Sequence, residues 1–220
     1  MDKNTDMTHV TEVLEYSPEP ELLAWQLSVG KAKAEKISTE AKRVGSLVDK
    51  WIQQDVLGEL PGSLDQKELE GSNCLIGWTQ FKSDYPELIG NIVSVQSELV
   101  TGDLVGHPDL EVALGDRWGF IDIKCAGAIR PKYWTQTAKY TEMKRRMAAT
   151  FLPPCFLGIL RLDKRSNLPK NYEYVEWNDL EKIQYEVEMF DHYLAIYRHG
   201  QQVQEWRRQA LEQEVLCSTK

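Results

Sequence analysis

Residues 106–127 read GHPDLEVALGDRWGFIDIKCAG, two apolar runs joined by Gly115-Asp116, with a carboxylate near the start and Asp122-Ile123-Lys124 at the end. Period-two patterning predicts strands over 104–114 and 117–124, joined by a tight turn. On the second, Phe120, Asp122 and Lys124 face one way and Ile121 and Ile123 the other. An acid and a base on one face of such a strand are expensive to bury unless something compensates them. Either the charged ends of the hairpin are wet, or a divalent cation sits there. Asp109, on the partner strand, can reach the same cation. Hard oxygen ligands without a soft Cys or His cluster suit Mg²⁺ or Mn²⁺. A lysine beside such an ion can hold a water or steady charge on a phosphate.

Outward from this hairpin the chain divides into helical and strand-like stretches. Residues 1–17 read as a polar lead-in, and Ser17-Pro18-Glu19-Pro20 opens a short helix through Trp25. Apolar spacing predicts a long amphipathic helix over 31–54, broken by GELPGS at 58–63, and a second helix over about 72–83 ended by Tyr85-Pro86. A strand over 89–100 precedes the hairpin and completes a three-stranded meander. A helix follows from Tyr133 to about Ala149, stopped by Pro153-Pro154. CFLGILRL, 155–162, is apolar enough for a central strand covered on both faces. A strand near 172–177 and a charged helix over about 178–213, within a C-terminal helix and tail of 178–220, finish the chain. This order implies an α/β fold with a mixed central sheet flanked by helices, in one domain spanning 1–220.

The chain has 220 residues, 42% of them hydrophobic, enough for one substantial core. Its net charge of −8 excludes nucleic-acid binding through overall charge, so any such contact needs a local patch. Residues 130–146, RPKYWTQTAKYTEMKRR, supply one: Arg130, Lys132, Lys139, Lys144, Arg145 and Arg146 against Glu142, interleaved with Tyr133, Trp134 and Tyr140. Bases beside a metal site, mixed with aromatic rings, point to phosphate contacts and base stacking. Cys74, Cys125, Cys155 and Cys217 lack the spacing of a zinc site or a disulfide framework, which points to a reducing cytoplasm. No apolar run approaches the roughly 18–20 residues needed to span a bilayer.

Taken together, Pro108-Asp109, a spacer and Asp122-Ile123-Lys124 resemble the PD-(D/E)XK nuclease signature, with Asp as the middle acid. Gln136 and Tyr140, in QTAKY, resemble the QxxxY motif of its RecB-like branch, and their spacing puts them on one helical face. Upstream, AEKISTEAKRVGSLVDKWI resembles the first helix of the phage-type and mitochondrial genome maintenance exonucleases, with one departure: Asp49, four residues after Gly45, stands where those relatives offer a His. The resemblance covers about residues 8–162.

It implies a PD-(D/E)XK, restriction-endonuclease-like core and a metal-dependent deoxyribonuclease. Asp109, Asp122 and the Ile123 carbonyl would hold Mg²⁺ or Mn²⁺. Asp49 and Glu98 would complete the shell, and Lys124 would orient the attacking water. Gln136, Tyr140, Arg130, Lys132 and Lys139 would contact the strand. No iron-sulfur cluster is expected, since the cysteines do not match the spacing of the relatives that carry one. Single-stranded DNA or DNA ends are the expected partner, with recombination or replication proteins beside it and a phage-infected bacterial cytoplasm as a setting. Two alternatives stay open: an endonuclease, and a nuclease-fold protein that binds DNA or a partner without cutting.

Overall fold

The computed structural model describes residues 7–59, 69–148, 155–165, 167 and 169–218. At its centre, β6 (Arg117–Cys125) and β7 (Cys155–Leu162) run parallel, connected through helix α6 (Pro131–Met147). Parallel neighbours require such a crossover. On one side β6 pairs antiparallel with β5 (Leu110–Leu114) and β5 with β2 (Ile92–Val95); on the other, β7 pairs antiparallel with β8 (Tyr172–Trp177). The result is a five-stranded mixed sheet in the order β2-β5-β6-β7-β8.

Alternation along β6 and β7 splits the core into two layers. Phe120, Leu157 and Ile159 meet Trp134, Tyr140 and Met143 of α6 and Phe190 of the C-terminal helix α7 (Leu180–Ser218). Ile121, Ile123, Phe156 and Leu160 meet Val44, Val48 and Ile52 of α3 (Lys31–Val56) and Trp78 and Phe81 of α4 (Leu69–Asp84). Every residue of β7 is buried, as a strand covered on both faces requires. Burial surrounds much of α6, because α7 covers the side that the sheet does not.

The expected meander is present, but it is not made of consecutive strands. The segment expected as one strand over 89–100 divides into β2 and β3 (Leu99–Thr101), and 104–114 divides into β4 (Leu104–Gly106) and β5. Gln96, at φ 51°, turns the chain between β2 and β3, and Pro108 falls between β4 and β5. The β3–β4 hairpin thereby leaves the main sheet and forms a small sheet, β1-β4-β3, with β1 (Thr8–His9).

Residues 7–17 are not merely a polar lead-in. After β1 come α1 (Val10–Val13) and a 3₁₀ turn over Leu14–Tyr16, and Val10, Val13 and Leu14 are buried in the α6/α7 layer. Three apolar residues in two short turns are too few to register as a periodic pattern. The helix expected to reach Trp25, α2, runs Pro20–Val29, while α5 is a single turn, Pro86–Ile89. The break at 60–63, the helix end at Ala149 and the Pro153-Pro154 stop lie outside the described residues.

Candidate active site

The C-terminal end of β6 carries the charged cluster. Ligand sites in open α/β sheets favour the carboxyl ends of parallel strands, and here the hairpin register brings Asp109, just before β5, beside that end, since Leu110 pairs with Ile121. Asp109 Oδ2 accepts the backbone N–H of Ile123 at 2.7 Å, and its Oδ1 accepts the Gln96 side-chain amide at 2.6 Å. Asp122 is 2% exposed, and its Oδ1 accepts from Lys124 Nζ at 2.8 Å. The other oxygen, Oδ2, is buried without a hydrogen-bond partner. Leaving such an oxygen unpaired is unfavourable, and native structures rarely do so.

The electrostatics follow from that crowding. Burial pushes the Asp122 carboxyl up to about 7; Asp109 adds to the rise, while Lys124 opposes it. Lys124 is raised as well. Burial lowers it, but the charges of Asp122 and Asp109 and the hydrogen bond to Asp122 outweigh burial and hold the side chain as ammonium. Its Nζ also lies 5.5 Å from the Tyr133 ring centre, within cation–π range.

From the opposite layer α3 brings Asp49 to the mouth of the site. Withdrawal from water, then the negative charges of Asp109 and Asp122, raise its carboxyl; Lys124 and Lys164 act against them. Asp49 is exposed on its outer side, and the water there moderates the rise. Lys164, on the turn after β7, is anchored by donating to the Ala41 carbonyl at 3.0 Å.

On α6, Gln136 and Tyr140 lie one turn apart and buried, the amide of Gln136 donating to the Tyr140 hydroxyl at 2.9 Å. Burial raises the Tyr140 hydroxyl, and Asp122 and Asp109 reinforce the rise. Tyr140 therefore faces the carboxylates as a neutral phenol. Gly106 is required beneath it, since a Cβ there would meet the Tyr140 ring at 2.4 Å.

Other sequence-predicted residues stand further out. Arg130 and Lys132 both grip Glu19, each at 2.7 Å. Burial works against the Glu19 carboxylate, but these two cations outweigh it and hold the group below its ordinary range. Lys139 is committed to α7: it is buried, pairs with Asp191 at 2.9 Å and Glu142 at 2.6 Å, and lies over the Phe190 ring. Glu98 is exposed and faces His107 at 3.7 Å. Gln96 and Lys164 carry no signal in the sequence, the one a glutamine in a turn and the other a lysine among many. A left-handed, non-glycine residue is visible only in the fold.

Oxygen donors of this kind fit a hard divalent cation, and the unpartnered Oδ2 of Asp122 is the atom such an ion would satisfy. Among the described residues, no group of three or more His, Cys, Asp and Glu side chains is gathered as a metal-holding set. The fit therefore rests on the Asp109–Asp122 pair and main-chain oxygen.

No family model matches the chain, and no curated protein does. Among solved structures, the chain is similar to an alkaline exonuclease, LHK-Exo, from Laribacter hongkongensis, at 14% identity and TM-score 0.42 over 94% of this chain and 95% of that one. The same protein in complex with dAMP gives 15% identity and TM-score 0.44 over the same shares. A presumptive exonuclease from Eubacterium rectale gives 13% identity and TM-score 0.47 over 87% of this chain and 80% of that one. These likenesses are loose and assign no residue a role. Among the described residues, no helix is long and apolar enough to cross a membrane.

Proposed function

We propose that the chain is one nuclease domain of the PD-(D/E)XK kind, RecB-like, that hydrolyses phosphodiester bonds in DNA with a divalent cation. The observation that carries this reading is the meeting of Asp109 with the Asp122–Lys124 pair at the end of the central strand, one Asp122 oxygen buried and unpartnered. Asp109, Asp122 and the main-chain carbonyl of Ile123 would hold Mg²⁺ or Mn²⁺, with Asp49 at the mouth. When bound, the ion supplies Lewis-acid polarisation of the phosphate and a more acidic water.

The chain's own side chains take the remaining parts. Lys124, held as ammonium by two carboxylates, acts by donating a hydrogen bond to a water or phosphate oxygen and not by removing a proton. Tyr140, neutral and fixed by Gln136, offers a hydroxyl to the strand. Arg130 and Lys132, once Glu19 is displaced, are free to take backbone phosphates. Asp49 in place of a histidine makes the mouth more acidic. The substrate in this reading is single-stranded DNA or DNA ends, attacked as an exonuclease.

Incubation with linear and with circular single-stranded DNA, in Mn²⁺ or Mg²⁺ and in chelator, tests the reading. Metal-dependent loss of linear DNA alone is the expected result. Loss of circles as well would make the protein an endonuclease. Binding of both without cleavage, unchanged by chelator, would make it a DNA-binding module and overturn the hydrolytic reading.

A further inference from the structure

Gln96 ends the excursion of β2 toward the small sheet, and among the described residues it is the only non-glycine residue at positive φ, 51°. That backbone region is disfavoured for a residue with a side chain; glycine, asparagine or aspartate is the usual occupant. Such residues persist where the surrounding structure holds them, and they concentrate at functional sites. Here the holding contacts all lead to one residue. The Gln96 backbone N–H donates to the Asp109 carbonyl at 3.1 Å, and its side-chain amide donates to Asp109 Oδ1 at 2.6 Å. The amide orientation is dictated, because an ionised carboxylate can only accept. With Ile123 N–H on Oδ2 at 2.7 Å, each oxygen of Asp109 has one neutral donor and keeps lone-pair capacity for another partner. Gln96 also lines the small cleft shared by Asp49, Asp109 and Ile123.

We propose that Gln96 is a positioning residue that fixes the plane of the Asp109 carboxylate for a divalent cation, its left-handed backbone being kept for that purpose. A residue selected for the turn alone would be glycine or asparagine; glutamine adds the reach to Oδ1. This inference rests on the metal-dependent reading of the site above.

Gln96→Gly removes the amide and relieves the backbone, while Gln96→Asn keeps a residue at ease in this conformation but one methylene too short. In metal-free buffer both variants are expected to melt at or above the wild-type temperature. In a Mn²⁺ titration followed by electron paramagnetic resonance, without DNA, both are expected to bind about tenfold more weakly, as befits loss of a hydrogen bond to a charged group. Wild-type Mn²⁺ affinity in both variants would overturn this inference and leave the nuclease reading standing. Variants that both melt well below wild type would show that the Gln96–Asp109 hydrogen bond is a structural tie of the fold and not a device for the ion, which also overturns it. A wild-type protein that binds no Mn²⁺ would overturn the metal-dependent reading and this inference with it.

Discussion

Lys124 donates to one oxygen of Asp122 at 2.8 Å while the other oxygen of the same carboxylate, buried beside it, accepts from nothing. The ion pair is therefore half of an arrangement, and the charge of Asp109 acts on the same carboxyl. A strand-end pair serving stability alone would gain from a second donor at that oxygen, or from apolar replacement of both partners.

Lys124→Met is expected to leave the protein folded and to lower DNA cleavage by at least about a hundredfold, the scale of removing one charge-stabilising donor. A gel assay on linear single-stranded DNA, with a melting curve on the same preparation, checks both halves. Retained cleavage would take Lys124 out of the site.

Asp122 makes stability depend on pH in a direction opposite to that of an ordinary paired carboxylate. Its folded value, about 7, lies above the ordinary value of 3.8, so between the two the native state holds a proton that the unfolded chain releases. In chelator, the wild type should lose stability relative to Asp122→Asn as pH rises from about 4 through about 7, with no further divergence above. Mn²⁺, which competes with that proton, should stabilise the wild type by about 2.7 kcal/mol at pH 8 at a hundredfold excess over its Kd there, and by less at pH 5 at the same concentration. Melting curves at the two pH values, with and without Mn²⁺, decide this. Equal shifts at both would mean that the ion does not bind this carboxylate.

Glu19 neutralises Arg130 and Lys132, the two cations at the start of α6, which the proposed function assigns to backbone phosphates. Glu19→Gln is expected to tighten binding of a single-stranded oligonucleotide several-fold and to steepen its salt dependence, by about 0.7 in slope for each cation released. Fluorescence anisotropy across a salt series measures both. An unchanged slope would place Arg130 and Lys132 off the path of the strand.

Leu14, 4% exposed, belongs to the α6/α7 layer although it lies in a short turn near the start of the chain. Leu14→Ala should lower stability by about 2–5 kcal/mol, as for other buried leucines. Denaturant unfolding reads this directly, and a change below about 0.5 kcal/mol, the range of an exposed substitution, would return residues 10–14 to the status of a surface arm.

The parts of the fold that were legible in the sequence are those where one pattern runs long enough to be unambiguous. β7 and β8 lie where 155–162 and 172–177 were expected, and α3 exceeds its expected end by only two residues, Val56 against Gln54. The split of β2 from β3 was not legible, because it depends on a single left-handed glutamine with no turn signature. The charged run on α6 was visible as composition, but composition does not report partners. Lys139 is committed to Asp191 and Glu142, Lys144 to Glu111, and Arg130 and Lys132 to Glu19. Each partner comes from a segment whose position only tertiary structure supplies, apart from Glu142 on α6 itself.

The two carboxylates at the centre of the site come from one hairpin, closed by the two-residue turn Gly115-Asp116 with Gly115 at φ 51°. Side chains alternate with a period of two, so a slip of one residue in that pairing would turn one strand's acids to the opposite face. Exposed turns ordinarily tolerate insertion. This one should not: its length is fixed by what happens at the far end of the hairpin, so an inserted residue would misplace the acids and the buried faces of both strands together.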